Sequence, residues 1–300
     1  MRLGRKDARD GMEPEKRGRG ADGGRRREIL ALVIALVVGM IAFDPGVQVA
    51  FATTPALGVY CSGTATATAT VSCSSTISAS TSDVVIVFVT TSSGTPGTPS
   101  TSGSGITFNS RNTGSVTGAT AAEFWGVPTS GITSQTVSDT VSGATAPDVA
   151  MVAFTVTGAD TTGPFDPSLA TPPTAASGTT TSPTISFATT GADDLVIGLA
   201  GTSAAVGLTV GTCTSTCTLI AAPSTTAQSG AAEYYTTTTS GTQIVSFSSL
   251  ASITWVMLGD ALVTTGGVPD LPFGVLPLLL LVPVAYLLMK ARVQVPRSPT

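Results

Sequence analysis

A repeat runs through the middle of this chain, and it limits the possible folds more than any single strand pattern does. The segment STISASTSDVVIVFV, ending at Val89, resembles PTISFATTGADDLVIGLA, ending at Ala200; TGATAAEFWGVPTSG resembles AQSGAAEYYTTTTSG; and DVAMVAFTVTGA resembles ASITWVMLGDALVTTG. Asp83 aligns with Asp194 at a spacing of 111, and Glu123 with Glu233 at 110. Two related units of about 80 residues follow one another. Both are dominated by Thr, Ser, Val and Gly, and β-branched side chains favour pleated, half-buried positions. Runs with strand character span 83–90, 121–127, 132–141, 149–157, 184–188, 195–201, 231–237, 243–248 and 253–263. The first of these is apolar on both faces and reads as a central strand. Gly/Pro/Ser/Thr-rich stretches at 91–105 and 158–183 read as exposed loops. The expected fold is all-β: an antiparallel β-sandwich, jelly-roll or Ig-like, built from two related halves. Two separate sandwiches and one pseudo-symmetric sandwich both satisfy the repeat. The single sandwich is preferred, because about four good strands per half would leave edges exposed.

Charge is segregated along the chain. Ten of the fourteen Lys and Arg residues lie in 1–28, and Lys290, Arg292 and Arg297 lie near the other end. Arg111 alone faces eleven carboxylates between Asp83 and Asp270. Such a surface repels phosphate backbones, so nucleic acid is not expected as a partner.

The basic ends flank apolar runs. Residues 29–43 carry no charge and follow Arg25-Arg26-Arg27; as a helix they would rise about 22 Å, short of a hydrocarbon core of roughly 30 Å. Asp44-Pro45-Gly46 breaks that helix, and Ala50-Phe51-Ala52 is a small-x-small cleavage site. The expectation is a signal peptide cut between Ala52 and Thr53, with an uncleaved signal anchor as the alternative. Residues 271–289 form a nineteen-residue apolar stretch followed at once by Lys290 and Arg292. By the positive-inside rule this is a transmembrane helix with a cytoplasmic tail and residues 53–270 outside the cell.

Val268-Pro269-Asp270-Leu271-Pro272-Phe273-Gly274, then a hydrophobic helix, then basic residues, resembles the three-part C-terminal sorting signals read by archaeosortases and exosortases. The resemblance implies a sorting transpeptidase as partner and processing near Pro269 and Asp270, with a plain transmembrane tail as the alternative. The Asp and Leu of this motif stand where such tails more commonly carry Glu and Phe. The middle of the chain also resembles the jelly-roll-like sandwiches of bacterial and phage surface proteins. The expected organisation is a basic region and signal segment at 1–52, a Thr/Ser-rich lead with a Cys pair at 53–75, and β repeats at 76–158 and 184–265. A linker at 159–183 separates the repeats, and the sorting-like motif (266–274), helix (271–289) and basic tail (290–300) follow.

Four cysteines, Cys61, Cys73, Cys213 and Cys217, lie in the exported part and suit an oxidising compartment. Pairs close in sequence, Cys61–Cys73 and Cys213–Cys217, are the favoured disulfides. A C-x3-C without His or a second nearby pair is a poor zinc site, so no metal is expected. The chain has no His, and no Lys between the ends, which excludes Ser-His-Asp and Cys-His nucleophile systems, Schiff-base lysines and His-ligated metals there. Glu123 and Glu233, beside Phe124-Trp125 and Tyr234-Tyr235, are the one remaining acid pair. A carbohydrate-active enzyme would need the two of them, or one with an Asp partner, to converge on a single cleft. Asp160, Asp166, Asp193 and Asp194 lie in or beside loops where calcium can bind, although no calcium-loop spacing is present. Trp125, Tyr234 and Tyr235 are candidate stacking residues for sugar; core packing is their plainer role. The leading expectation is a non-enzymatic, membrane-anchored cell-surface protein that contacts polysaccharide or other surface proteins.

Overall fold

The computed structural model describes residues 53–264. The 29–43 run, the Ala52 side of the cleavage junction, Pro269 and Asp270 of the sorting-like motif, and the 271–289 helix lie outside the described residues. Among the described residues there are eighteen strands, and no helix is long and apolar enough to cross a membrane.

The first half comprises β1 (Ala56–Ala65), β2 (Thr70–Ser72), β3 (Ile77–Ala79), β4 (Val84–Thr91), β5 (Ser100–Thr101), β6 (Asn109–Val116), β7 (Ala119–Gly126), β8 (Ile132–Gln135), β9 (Val137–Thr140) and β10 (Val149–Thr157). The second comprises β11 (Ala176–Thr180), β12 (Thr184–Thr189), β13 (Leu195–Thr202), β14 (Thr209–Val210), β15 (Thr218–Ala221), β16 (Ser229–Thr236), β17 (Gly241–Ser248) and β18 (Ile253–Leu262). In the first half a five-stranded sheet runs β1-β10-β4-β7-β6; in the second the order is β11-β18-β13-β16-β15. These orders correspond strand for strand, which gives the sequence repeat a structural counterpart. Smaller sheets, β2-β9-β5 with β3-β8 in one half and β12-β17-β14 in the other, complete each unit, and every ladder is antiparallel.

The halves do not share sheets, contrary to the single-sandwich preference. Each builds its own two-sheet sandwich, and the two five-stranded sheets then pack face to face, giving four layers and three apolar seams. Alternation along the strands divides the side chains among those seams. In β4, Val85, Val87 and Val89 face the small sheet of their own half, while Val84, Ile86 and Phe88 meet Leu195, Ile197 and Leu199 of the other half. Packing on both faces explains why β4, β10, β13 and β18 read as almost continuous apolar runs. It also removes the objection to two sandwiches, because each large sheet covers the other's open face.

Strands that the alternation missed are short or polar. Edge strand β6, NSRNTGSV, is held by backbone pairing to β7, and β11 lies inside the stretch read as a 158–183 loop. Likewise β1 and β2 belong to the first sandwich although they fall in the 53–75 lead. Cys61 of β1 bonds to Cys73, just beyond β2, and so staples the large sheet to the small one. The described ends meet: Thr53 lies against Gly158, and Ala159 pairs with Thr264.

The central seam is tight because of two glycines. Gly201 of β13 and Gly230 of β16 sit opposite each other in the ladder, and Thr90 of β4 fills the notch they leave. Gln228 Nε2 donates to the Thr90 hydroxyl there. Valine at Gly201 would drive its Cβ into the Thr90 side chain, and overpacking of this kind costs about 1–3 kcal/mol. Gly201→Val is expected to lower the unfolding free energy measured in urea by that amount, whereas Gly207→Val, with nothing within 4 Å, is expected to leave it unchanged.

Candidate functional site

Two clusters of ionisable groups occupy the interior, and neither matches the acid pair expected from the repeat. Glu123 faces Phe88 across the β4–β7 ladder, whereas Glu233 faces Gly198 across β13–β16. Counted from the first residues of β4 and β13, these partners are the fifth and the fourth. A slip of one residue reverses the face. Glu123 therefore points into the seam between the sandwiches, and Glu233 into the core of the second sandwich. The structure does not bring them together.

Arg111 organises the first cluster. It is the extra residue of a β-bulge in β6, between Ser110 and Asn112, and the bulge turns its side chain toward the other half. Its guanidinium donates to Asp260 of β18 through Nε at 2.6 Å and Nη2 at 3.1 Å, a bidentate pair with side chains 9% and 0% exposed. Nη2 also donates to the Leu169 carbonyl, and the guanidinium carbon lies 3.8 Å from the centroid of Phe165, whose edge meets Trp125. Asn112 donates to the Pro173 carbonyl. One strand edge of the first sandwich thus gathers the 165–173 segment of the second.

Glu123 lies buried beside this pair with no hydrogen-bond partner on either oxygen. Burial, then the Asp260 charge, hold its carboxyl well above the usual range against a pull from Arg111. Burial also pushes Asp260 up to about 6 although Arg111 draws it down. Glu123 and Asp260 are an acid and a carboxylate near one another, but both are fully enclosed, so no glycoside reaches them.

The second cluster lies between β16 and β17. Glu233 is fully buried; its Oε1 accepts from the Ser246 amide at 3.1 Å and lies 3.4 Å from Cys213 Sγ. Its Oε2 has no partner, and burial pushes the carboxyl up to about 8. Cys213 and Cys217 form a disulfide, so both expected cysteine pairs are bonded and no described cysteine is free. The two sulfurs and a Glu233 oxygen all lie within 4.8 Å of one another. With the sulfurs bonded to each other, only the carboxylate remains to offer a metal.

The loop acids have separate roles. Asp166 caps the 3-10 turn Pro167–Leu169 and accepts from Ser168, Thr190 and the Gly191 amide. Burial opposes its ionisation, but these donors draw it down to about 2. Asp194 is pushed up to about 7 by burial and by the adjoining Asp166 carboxylate. Asp160 accepts from the amides of Thr162 and Gly163, and Asp193 takes a positive φ of 66°. With Asp166 saturated by donors, the four acids do not converge on a cation. The aromatics divide as well. Trp125 and Tyr234 border the central seam, while Tyr235 is buried on the other face and donates to Gln243 Oε1. They form no common platform.

One open groove, of about 560 Å³, runs along the outer side of β6 and β7. It is lined by the turn of Thr95, Pro96, Gly97 and Thr98, by Ser110 and Thr113 of β6, and by Phe124 of β7, which is only 4% exposed. Charged side chains are absent from its lining. Beneath Gly97, the Asp139 carboxyl accepts the Gly97 amide at 3.3 Å, and burial pushes it up to about 6. Sequence reasoning missed this groove, because it is made by a polar edge strand and a turn without periodicity. No family model matches the chain, and neither does any curated protein or solved structure.

Removing Arg111 would leave Asp260 buried and uncompensated, which costs about 3–5 kcal/mol. Arg111→Met is expected to lose that amount in denaturant unfolding, and an added Asp260→Leu change is expected to recover much of it. The carboxyls of Glu123, Asp139, Asp194, Glu233 and Asp260 all hold their protons in the folded state beyond the pH at which the unfolded chain releases them. Folding therefore weakens as pH rises from roughly 4 toward 8, while the Asp166 contribution is lost only below about pH 4. Thermal melts should place maximum stability on the acid side of neutrality, and Glu123→Gln should flatten the decline toward pH 8.

Proposed function

We propose that this chain is an exported, membrane-anchored surface protein whose paired sandwiches have a non-enzymatic, adhesive role. The observation that carries the reading is that all four described cysteines are spent in two disulfides, the state of proteins that fold in an oxidising compartment. The interior charges agree with it: Arg111 and Asp260 hold the halves together, and the remaining buried acids are enclosed rather than presented to a substrate. In this reading each sandwich is of the Ig-like or jelly-roll kind common on cell surfaces. The 29–43 run directs export, and the 268–274 motif with its helix provides the anchor, through a sorting transpeptidase or as a plain span.

The neutral groove on the first sandwich supplies the adhesive surface. An uncharged lining rich in hydroxyls suits an uncharged polysaccharide, whose own hydroxyls can pair with those of Thr95, Thr98, Ser110 and Thr113. Intact-mass spectrometry of the protein from its native membrane tests the reading. The expected mass begins at Thr53, ends near Asp270 if the anchor is sorted or keeps the tail if it is a plain span, and rises by four hydrogens on reduction. A mass that retains the 29–43 run and the tail, with free thiols, overturns it. For the groove, Thr113→Trp, at an exposed lining position, should fill the channel and abolish retention on neutral polysaccharide resins without changing the melting temperature.

A further inference from the structure

We propose that Cys213–Cys217 is a reducible thiol–disulfide exchange site for a small exogenous dithiol, with Glu233 as its internal acid and base. The inference does not rest on the adhesive reading. It starts from an oddity of placement. A fully buried carboxyl normally has donors for both oxygens, yet Glu233 Oε2 has none, and the nearest chemistry is a disulfide sulfur 3.4 Å from Oε1. A bonded sulfur carries no hydrogen, so the contact is favourable when the proton sits on the carboxyl and is shared toward sulfur.

The surroundings look built for this contact. Gly198, opposite Glu233, lacks the Cβ that would strike Val245 and crowd the Glu233 side chain. Its β17 neighbour is the Ser246 amide, and the loop before β15 supplies the disulfide. Tyr235 is the titratable group sharing this face; no charged side chain opposes Glu233 from the packed elements. Cys213 is half-buried and reachable, whereas Cys61 and Cys73 are 2% and 7% exposed. Opening a bond that spans four residues also releases less chain than opening one that spans twelve.

The steps balance as follows. One thiolate of the dithiol, its proton lost to solvent, attacks Cys213 Sγ, and the bond to Cys217 breaks, leaving Cys217 as a thiolate. That thiolate takes the proton of the dithiol's second thiol. The new thiolate attacks its own partner sulfur in the mixed disulfide, and Cys213 departs with the proton of Glu233. Solvent returns a proton to the carboxylate. The protein disulfide gains two electrons and two protons, and the dithiol becomes a cyclic disulfide. In the reverse direction the Glu233 carboxylate removes the Cys213 proton as that sulfur attacks.

The test is reduction by dithiothreitol, followed site by site through differential alkylation and mass spectrometry. Cys213–Cys217 should open well before Cys61–Cys73. The rate constant for resolving the trapped Cys213 mixed disulfide, expressed per thiolate of the reagent's second sulfur, should fall as pH rises through about 8, where Glu233 loses its proton. Glu233→Gln should slow that resolution at least ~10-fold at pH 7. The two proteins should converge above about pH 9, with Cys61–Cys73 unaffected. Earlier opening of Cys61–Cys73, or a flat wild-type profile, overturns the proposal, and so does a folded Gln variant that reacts at the wild-type rate. If the Gln variant misfolds, both disulfides will open together, and the wild-type profile then decides alone.

Discussion

Arg111 is the only basic side chain between residues 28 and 289, and the fold spends it in the seam between the two sandwiches. The apolar side chains of that seam are largely Val, Ile, Leu and Ala, a surface that would tolerate more than one way of sliding one sheet over the other. A bidentate ion pair tolerates one. The bulge that aims Arg111, the carbonyl of Leu169 and the ring of Phe165 all take their positions from it. Glu123, close by and unpartnered, keeps its proton, because burial disfavours its charge and the Asp260 carboxylate beside it adds to that cost.

Much of this architecture could be read from residues. Eight of the nine runs with strand character occur as single strands, the 132–141 run divides into β8 and β9 of different sheets, and the repeat corresponds to two sheets of matching order. The misreadings have a common physical origin. Edge strands such as β6 and β11 are held by backbone pairing, which leaves no apolar alternation. The choice between one sandwich and two depended on what would cover an open sheet face. A single chain pattern does not distinguish a strand buried by its own half from one buried by its repeat.

The candidate sites were less legible, for a sharper reason. Glu123 and Glu233 look equivalent in an alignment by composition, but spacings of 111 and 110 differ by one residue, and one residue in a strand is the whole difference between its faces. The cysteines were readable as pairs because each closes a short loop. Nothing in the sequence placed Glu233 beside Cys213, since the strand and the loop meet only through the packing of β16 against β17.

The meeting of Thr53 with Gly158, and of Ala159 with Thr264, makes the folded unit a side branch and not a spacer. A chain that enters and leaves at the same pole adds bulk without adding reach. Copies attached in series would crowd along a line like beads hung from a string, each turning its far pole outward. A support joined at either described end would hold the near pole of the unit and leave the opposite pole to meet the surroundings.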